Sequence, residues 1–332
     1  MKSGLVLTSR IVYTVWQTES ENQDEPSAKI KSAGGEYRVE AILQWGLDLI
    51  IAIQQVHGLA LDNFFRAVTF MGEEEFYLLL LPMLFWCVNF GLGARLAIFF
   101  MLSLWLNIGL KDLFHQPRPF ELDQTVMLSS TRGYGLPSNH AQSAVVAWGS
   151  IALWGRKTWL WVVAVGLMIL IGFSRVYLGV HFPTDVLAGW AIGVLLLVIY
   201  SAVEPVISKR LAKFNIWLQM LLALAVPVAL LLIHPGIYTA TAMGTLAGIG
   251  LGLALTRRYV SFNVGGLWWH YAVRFIIGSA VVFALYRGLK IVSPGEESAF
   301  YMAFRFLSYG LVGAWASLGA PWLFQKLKLS KR

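Results

Sequence analysis

Long apolar blocks separated by short polar segments make up most of the chain after residue 40. These blocks do not alternate apolar and polar residues, as a strand or helix with one solvated face would. A helix needs about 20 mostly apolar residues to cross the hydrocarbon core of a bilayer, and several blocks reach this length with their borders included. The pattern predicts about ten membrane-crossing helices, or nine if the short first one, which carries Asp48, lies in the interface. They fall near residues 41–56, 74–92, 94–112, 138–155, 158–178, 183–203, 214–234, 237–256, 266–289 and 298–322.

The composition agrees with a membrane protein. Of the 332 residues, 57% are hydrophobic and only 13% are charged, whereas an ordinary soluble domain has about 25% charged residues. Many of the 14 Trp and 12 Tyr residues stand near block ends, where interfacial aromatic belts are expected. The predicted fold class is therefore all-α, a polytopic transmembrane helical bundle.

The loop charges predict an orientation in the membrane. The formal net charge is +8, and its excess lies in short loops, which favours membrane orientation over nucleic-acid binding. Basic pairs such as Arg156–Lys157 and Arg257–Arg258 mark alternate loops, which are predicted to be cytoplasmic together with both termini. The opposite loops, including residues 57–73 and 113–137, are predicted to be extracytoplasmic. We therefore expect an integral membrane location, the plasma or inner membrane in a bacterium, with membrane lipids as partners and no nucleic acid.

Three polar segments stand in the predicted extracytoplasmic loops. The first runs from Lys111 to Pro119 and contains Lys111 and Arg118, two cations that can converge on one anion. Pro117 and Pro119 restrict the backbone on either side of Arg118. Taken alone, this segment is more typical of an ordinary positively charged helix end.

The second segment runs from Gly135 to Ala141 and precedes an apolar helix. Ser138 is a suitable N-cap, and the free backbone N–H groups of a helix N-terminus form an anion site. His140 would lie in the first turn, where it could protonate a leaving oxygen. A capped helix with an interfacial histidine is an equal alternative for this segment alone.

The third segment runs from Ser174 to Asp185. Arg175 ends one predicted helix, and Asp185 follows His181 by four residues, so their side chains share a face if the next helix begins there. A carboxylate that accepts from one imidazole nitrogen leaves the other free to attack. A lone His–Asp pair is more often structural than catalytic.

Together the segments indicate phosphoryl transfer. An even number of predicted crossings separates them, so all three lie at the same membrane face. They supply cations, a helix N-terminus, two histidines and a carboxylate, which suit a reaction catalysed mainly by positioning and charge neutralisation. No set of residues has convincing metal-ligand spacing, no phosphate-binding glycine loop is present, and the single cysteine, Cys87, forms no framework.

The patterns K-x6-R-P, P-S-x-H and S-R-x5-H-x3-D, in this order, resemble the three signature motifs of the type 2 phosphatidic acid phosphatase (PAP2) superfamily. The resemblance covers about residues 41–203. It implies that His181 is the nucleophile that forms a phosphohistidine, that His140 is the general acid and that Asp185 orients His181. It also implies metal independence and no cofactor. The implied phosphate ligands are Lys111, Arg118, Ser138, Arg175 and the backbone N–H of Asn139.

The resemblance also suggests a division of the chain. Residues 1–40 form a polar tail or linker, residues 41–205 a PAP2-like catalytic domain with a six-helix core, and residues 206–332 additional C-terminal transmembrane helices. Within these helices Arg274, which could bind a headgroup, is expected instead to reach toward the membrane interface. Asn139 stands where the family usually has glycine. Since only its backbone N–H is needed, we expect activity to survive.

The predicted function is hydrolysis of a lipid phosphomonoester or lipid pyrophosphate at the extracytoplasmic face. One alternative is a phosphotransferase of the same superfamily, which would pass the phosphoryl or headgroup to another lipid. Another is a membrane transport or interaction protein without catalysis. The sequence names neither the lipid nor the oligomeric state.

Overall fold

The protein is a bundle of helices in the computed structural model, which describes residues 36–260 and 262–330. Within these ranges there is no β-strand, and we number the longer helices α1 to α11. They are α1 Glu36–Gln54, α2 Leu59–Phe70, α3 Glu74–Met83, α4 Phe90–Phe114, α5 Asn139–Gly155, α6 Thr158–Tyr177, α7 Pro183–Leu211, α8 Ile216–Ile233, α9 Ile237–Tyr259, α10 Trp268–Ile291 and α11 Tyr301–Ala314. Two π-helical turns, Leu84–Val88 and Trp315–Gly319, extend α3 and α11, and a further helix, Ala320–Lys326, follows α11.

The chain divides into two units after Ile42. In the first unit the described residues form only the beginning of α1. The second unit, Leu43–Arg332, contains all the other helices. Residues 1–35 of the predicted polar tail lie outside the described residues, so that prediction is not tested.

Each of the ten predicted blocks coincides with a helix, or with a helix and the π-helical turn that extends it, and α7 continues eight residues beyond the predicted end at residue 203. Among the described residues, six segments are long and apolar enough to cross a membrane, which makes this an integral membrane protein. They are Phe90–Leu122, Thr158–Tyr177, Pro183–Leu211, Ile216–Ile233, Ile237–Tyr259 and Trp268–Ile291. For the other four blocks, membrane crossing stays a prediction.

Helix α2 lies where the sequence analysis placed an extracytoplasmic loop. Its 12 residues are too few to cross a bilayer, but one face buries Phe65, Val68 and Thr69. The Phe65 ring packs on the ring of Tyr177 at the end of α6, with 4.3 Å between centroids. This packing fixes the end of α2, and the turn after it, beside the third polar segment.

Helices α4 and α5 are joined inside the bundle by polar side chains. Asn107 of α4 donates to Oε1 of Gln142 at 2.8 Å, and Gln142 donates to the Ser103 hydroxyl at 2.8 Å. All three residues are buried, and buried polar groups are stable when paired in this way. The pairs therefore fix the position of α5, which begins the second polar segment, along α4, which ends in the first.

The C-terminal helices contact the rest of the bundle at two points. The indole of Trp86, after α3, donates to the Ala316 carbonyl at 2.8 Å. At the other point Nε2 of His234, after α8, lies 3.1 Å from Oδ2 of Asp112, in the first polar segment. These contacts connect the C-terminal helices to the helices that carry the site.

Arg274 in α10 differs from the expectation that it reaches the membrane interface. Its side chain is completely buried, and its guanidinium carbon lies 4.6 Å from the ring centroid of Tyr271. An arginine enclosed on an aromatic face is stabilised by cation–π attraction. Arg274 is therefore enclosed within the protein and does not reach the membrane interface.

Candidate active site

Asp185 lies at the centre of the site, in the first turn of α7, and is completely buried. Its Oδ2 accepts from the backbone N–H of Phe182 at 3.0 Å and lies 3.1 Å from Nδ1 of His181. Its Oδ1 accepts from the side chain of Gln116. A carboxylate held by three donors is fixed in orientation and keeps its negative charge in a buried position.

His181 is also buried, directly before α7. Because Asp185 accepts at Nδ1, the proton is assigned to that nitrogen, and the unprotonated Nε2 accepts from Arg118. Burial, and then the charges of Arg118 and Lys111, hold the pKa of His181 well below its ordinary value of 6.5. The imidazole is therefore neutral at pH 7, which is the form that can act as a nucleophile.

Arg118 lies against the free nitrogen of His181. Its Nη1 is 3.2 Å from Nε2 of His181 and donates to the Val180 carbonyl at 2.7 Å. The same guanidinium donates to the carbonyls of Gly133 and Arg132. Arg118 therefore holds the loop before α5 and keeps a positive charge beside the nucleophile.

Lys111, in the last turn of α4, lies at the other side of the same loop. Its ammonium group donates to the carbonyls of Tyr134 and Gly135, the latter at 3.1 Å. Gly135 in turn donates its N–H to the Gln116 carbonyl at 2.8 Å. Because the contacts of Lys111 are backbone carbonyls and not carboxylates, its charge is not neutralised by them.

The N-terminus of α5 points into this group of residues. Ser138 is the N-cap, and its hydroxyl lies 3.5 Å from the N–H of Ala141. The backbone N–H of Ser138 donates to the Asp185 carbonyl at 3.0 Å, which joins the second segment to the third. Asn139 and His140 form the first turn, whose N–H groups have no partner within the helix. The structure thus brings together all three segments.

The turn between α2 and α3 adds two residues that the sequence analysis did not assign to the site. Oε1 of Glu73 lies 3.2 Å from Nε2 of His140 and 3.8 Å from Nη1 of Arg175. The Thr69 hydroxyl accepts from the same Arg175 nitrogen at 2.6 Å. Arg175 itself is buried at the end of α6.

Burial alone would raise the pKa of Glu73, but contact with His140 and the charge of Arg175 lower it below its ordinary 4.5. Glu73 is thus ionised at pH 7. Its only signal in the sequence is that it begins a run of three acids, Glu73 to Glu75.

The site is suited to an oxyanion with several charged oxygens. Three cations, a helix N-terminus and a neutral buried imidazole lie around one position, and two carboxylates hold the histidines. Among residues 36–260 and 262–330, no group of three or more His, Cys, Asp or Glu side chains is placed to hold a metal ion.

Two protein-family models match parts of this chain. Residues 86–209 match the family model of the PAP2 superfamily. Residues 240–332 match the model described as PAP2 superfamily phosphatase, transmembrane extension. All three polar segments lie within the first match.

Two curated proteins are similar to this chain. Lipid phosphate phosphatase delta of Arabidopsis thaliana is 30% identical over 210 residues, which are 55% of this chain and 49% of that protein. The probable sphingosine-1-phosphate phosphatase of Dictyostelium discoideum is 27% identical over 227 residues, 61% of this chain and 55% of that protein. The chain thus spans about half the length of the curated relatives it matches.

A solved structure, that of LpxE from Aquifex aeolicus, is also similar. It is 30% identical, with a TM-score of 0.44, and the match covers 47% of this chain and 94% of that one.

Proposed function

The chain belongs to the PAP2 superfamily, and from this premise we propose that it is a phosphatase that acts on lipid phosphates. The substrate is a lipid phosphomonoester or a lipid pyrophosphate, and the phosphoryl group passes through a phosphohistidine on His181. The names of the relatives, lipid phosphate phosphatase and sphingosine-1-phosphate phosphatase, support this substrate class.

One observation carries the proposal. His181 is buried with its Nδ1 at 3.1 Å from Asp185 and its Nε2 at 3.2 Å from Arg118. The carboxylate fixes the tautomer in which Nε2 is unprotonated and accepts from Arg118. A phosphate that draws the guanidinium to its own oxygens would free this lone pair for attack.

The reaction takes two steps. In the first, Nε2 of His181 attacks phosphorus and forms the P–N bond while the bond from phosphorus to the lipid oxygen breaks. His140 gives its proton to that oxygen, and the lipid alcohol leaves. In the second, water attacks phosphorus and gives a proton to His140, the P–N bond breaks, and inorganic phosphate leaves. The sum is one ester and one water converted to one alcohol and one phosphate.

The phosphate oxygens bind to Lys111, Arg118 and Arg175, to Ser138 and to the backbone N–H of Asn139. Lys111 and Arg118 donate to backbone carbonyls in the structure. We propose that, when substrate binds, they exchange some of these hydrogen bonds for hydrogen bonds to the phosphate. Because these side chains supply the positive charge, we propose that the reaction needs no metal ion or other cofactor.

The orientation in the membrane follows from the loop charges. We propose that the site faces the extracytoplasmic side and that both ends of the sequence are cytoplasmic. We also propose that residues 41–205 form the catalytic domain and residues 206–332 an additional membrane region. The ranges of the two family matches support this division.

The test is phosphate release from a panel of lipid phosphates by the purified protein in detergent. We expect release in the presence of a chelator, inhibition by vanadate, and loss of release in His181→Ala. The matched control is His57→Ala, at a histidine whose side chain is 55% exposed. A fully active His181→Ala variant would contradict the proposal.

The same measurement separates the alternatives. A phosphorylated acceptor lipid in place of free phosphate would identify a phosphotransferase. No turnover of any member of the panel, and no effect of vanadate, would indicate a transport or interaction protein.

A further inference from the structure

We propose that Glu73 is a positioning residue for His140: its carboxylate is the counter-charge that favours the protonated His140 imidazole, which gives its proton to the leaving lipid oxygen. This inference rests on the proposed phosphatase function and extends it to a residue outside the three segments. Glu73 also lies outside the range that matches the PAP2 family model, residues 86–209.

The geometry gives His140 one carboxylate partner. Among the described residues, Glu73 is the acid within ion-pair distance of His140, with Oε1 at 3.2 Å from Nε2. The same oxygen lies 3.8 Å from Nη1 of Arg175. The His140 side chain is 11% exposed and that of Glu73 is 43% exposed, so the carboxylate stands at the wet edge of the site.

The charges around His140 explain why a counter-charge is needed. Burial of His140 is the largest effect that opposes a positive charge on its ring, and the charges of Arg175 from α6 and Arg118 from the first segment add to it. His181, before α7, is uncharged at pH 7. Glu73 is the group from the α2–α3 turn that acts in the opposite direction. It therefore favours the protonated form that a general acid needs.

The backbone is built to bring Glu73 this close. A Cβ on Gly72 would overlap the ring of His140, so a side chain at this position would push the turn away from the histidine. Three residues before Gly72, the hydrogen bond from Arg175 to the Thr69 hydroxyl fixes the end of α2. One turn therefore contacts both the proposed acid and a proposed phosphate ligand.

The proton balance follows from these contacts. When the His140 imidazole is protonated, its proton lies beside the Glu73 carboxylate. When the ester is cleaved, that proton moves to the lipid oxygen, and neutral His140 is left beside Glu73. The attacking water then returns a proton to His140. Glu73 keeps its charge throughout and forms no bond to the substrate.

The test compares two leaving groups in the wild type and in Glu73→Gln. A lipid alkyl phosphate needs a proton on its leaving oxygen, whereas the nitrophenolate of p-nitrophenyl phosphate leaves without one. We expect Glu73→Gln to lower kcat/KM for the alkyl substrate by about 10- to 100-fold, since general acids contribute about 10²- to 10⁴-fold. For p-nitrophenyl phosphate we expect a loss of no more than about threefold.

The pH profile is the second readout. The alkaline limb of kcat/KM for the alkyl substrate reports loss of the proton from the general acid. We expect this limb to move to lower pH by about one unit in Glu73→Gln, because the carboxylate no longer stabilises the imidazolium. Glu73→Asp keeps the charge. It should restore part of kcat/KM and return the alkaline limb most of the way to its wild-type pH.

Glu75→Gln is the matched control, because it removes the same charge two residues further along α3. It should leave kcat/KM for both substrates and the pH profile unchanged. Equal losses on both substrates in Glu73→Gln, no loss, or a gain on the alkyl substrate would overturn the inference. If instead the wild type releases no phosphate from either substrate, the proposed function itself fails, and the two failures are thus distinguishable.

Discussion

The two histidine–carboxylate pairs of the site differ in their surroundings. In the pair His181–Asp185 the side chains are 3% and 0% exposed, and Asp185 has two further donors besides the histidine. In the pair His140–Glu73 the carboxylate is 43% exposed and is shared with Arg175. A buried ion is stable only when several groups satisfy it, whereas an ion at a wet edge can exchange partners.

The difference matches the two tasks that we propose. A nucleophile must keep one tautomer and one orientation, and the buried pair His181–Asp185 provides both. A general acid must gain and lose a proton in every turnover, and the partly exposed pair His140–Glu73 allows this exchange. The comparison therefore predicts that disruption of the first pair affects every substrate, while disruption of the second affects only substrates with a poor leaving group.

Asp185→Asn should give the largest effect. The amide has one acceptor where the carboxylate has two, so it cannot satisfy Gln116, Phe182 and His181 together, and the histidine loses its fixed tautomer. We expect kcat/KM to fall by roughly 100- to 10,000-fold, as in other oriented-histidine sites, and by similar factors for alkyl and nitrophenyl substrates. A loss confined to alkyl substrates would show that the two pairs do not divide the work in this way.

Gly72→Ala should give an intermediate effect. The new methyl group displaces the turn from His140, and we expect about a tenfold loss of kcat/KM on alkyl phosphates, a fraction of what a general acid contributes. Nitrophenyl phosphate should be hydrolysed almost normally. Gly58→Ala is the control, because a Cβ there meets no atom within 4 Å. Similar losses in both variants would contradict this account.

The pH dependence of stability should show a small effect of Glu73. Its pKa is lowered in the folded protein from 4.5, so between the folded and unfolded values the unfolded state binds more protons. The stabilisation is therefore complete above pH 4.5 and is lost as the pH falls through the folded-state value. For a half-exposed pair we expect the wild type to melt about 1 °C above Glu73→Gln near neutral pH. This difference, measured by thermal unfolding in detergent, should vanish in acid; a difference that grows in acid would refute the assignment.

Asn139→Gly should have the smallest effect. The Asn139 side chain accepts from the Ser143 hydroxyl at 3.2 Å, while the proposed contact to phosphate uses the backbone. We expect activity on both substrates within about threefold of the wild type, since Gly costs about 0.5–1 kcal/mol even in a helix interior. Complete loss would show that the side chain of Asn139 itself takes part.

The same two pairs show what the sequence can reveal. His181 and Asp185 are four residues apart, so helical geometry alone places them together, and the apolar blocks predicted the helices that hold them. Their catalytic roles stay predictions. The contact of Glu73 with His140 depends on how α2 packs on Tyr177, and no local spacing encodes that packing. The short helix α2 had a readable pattern of one buried face, but its position beside Arg175 comes from tertiary contacts.

Helix α5 has a consequence for how the protein is made. With 17 residues it is shorter than the about 20 that cross a bilayer unaided, and Gln142 inside it is satisfied by α4. Such a segment is stably placed only once its neighbours surround it. Because the groups of the site extend from Thr69 to Asp185, the candidate site is complete only when α7 has been synthesised and has packed against α5. The site is thus a property of assembled helices.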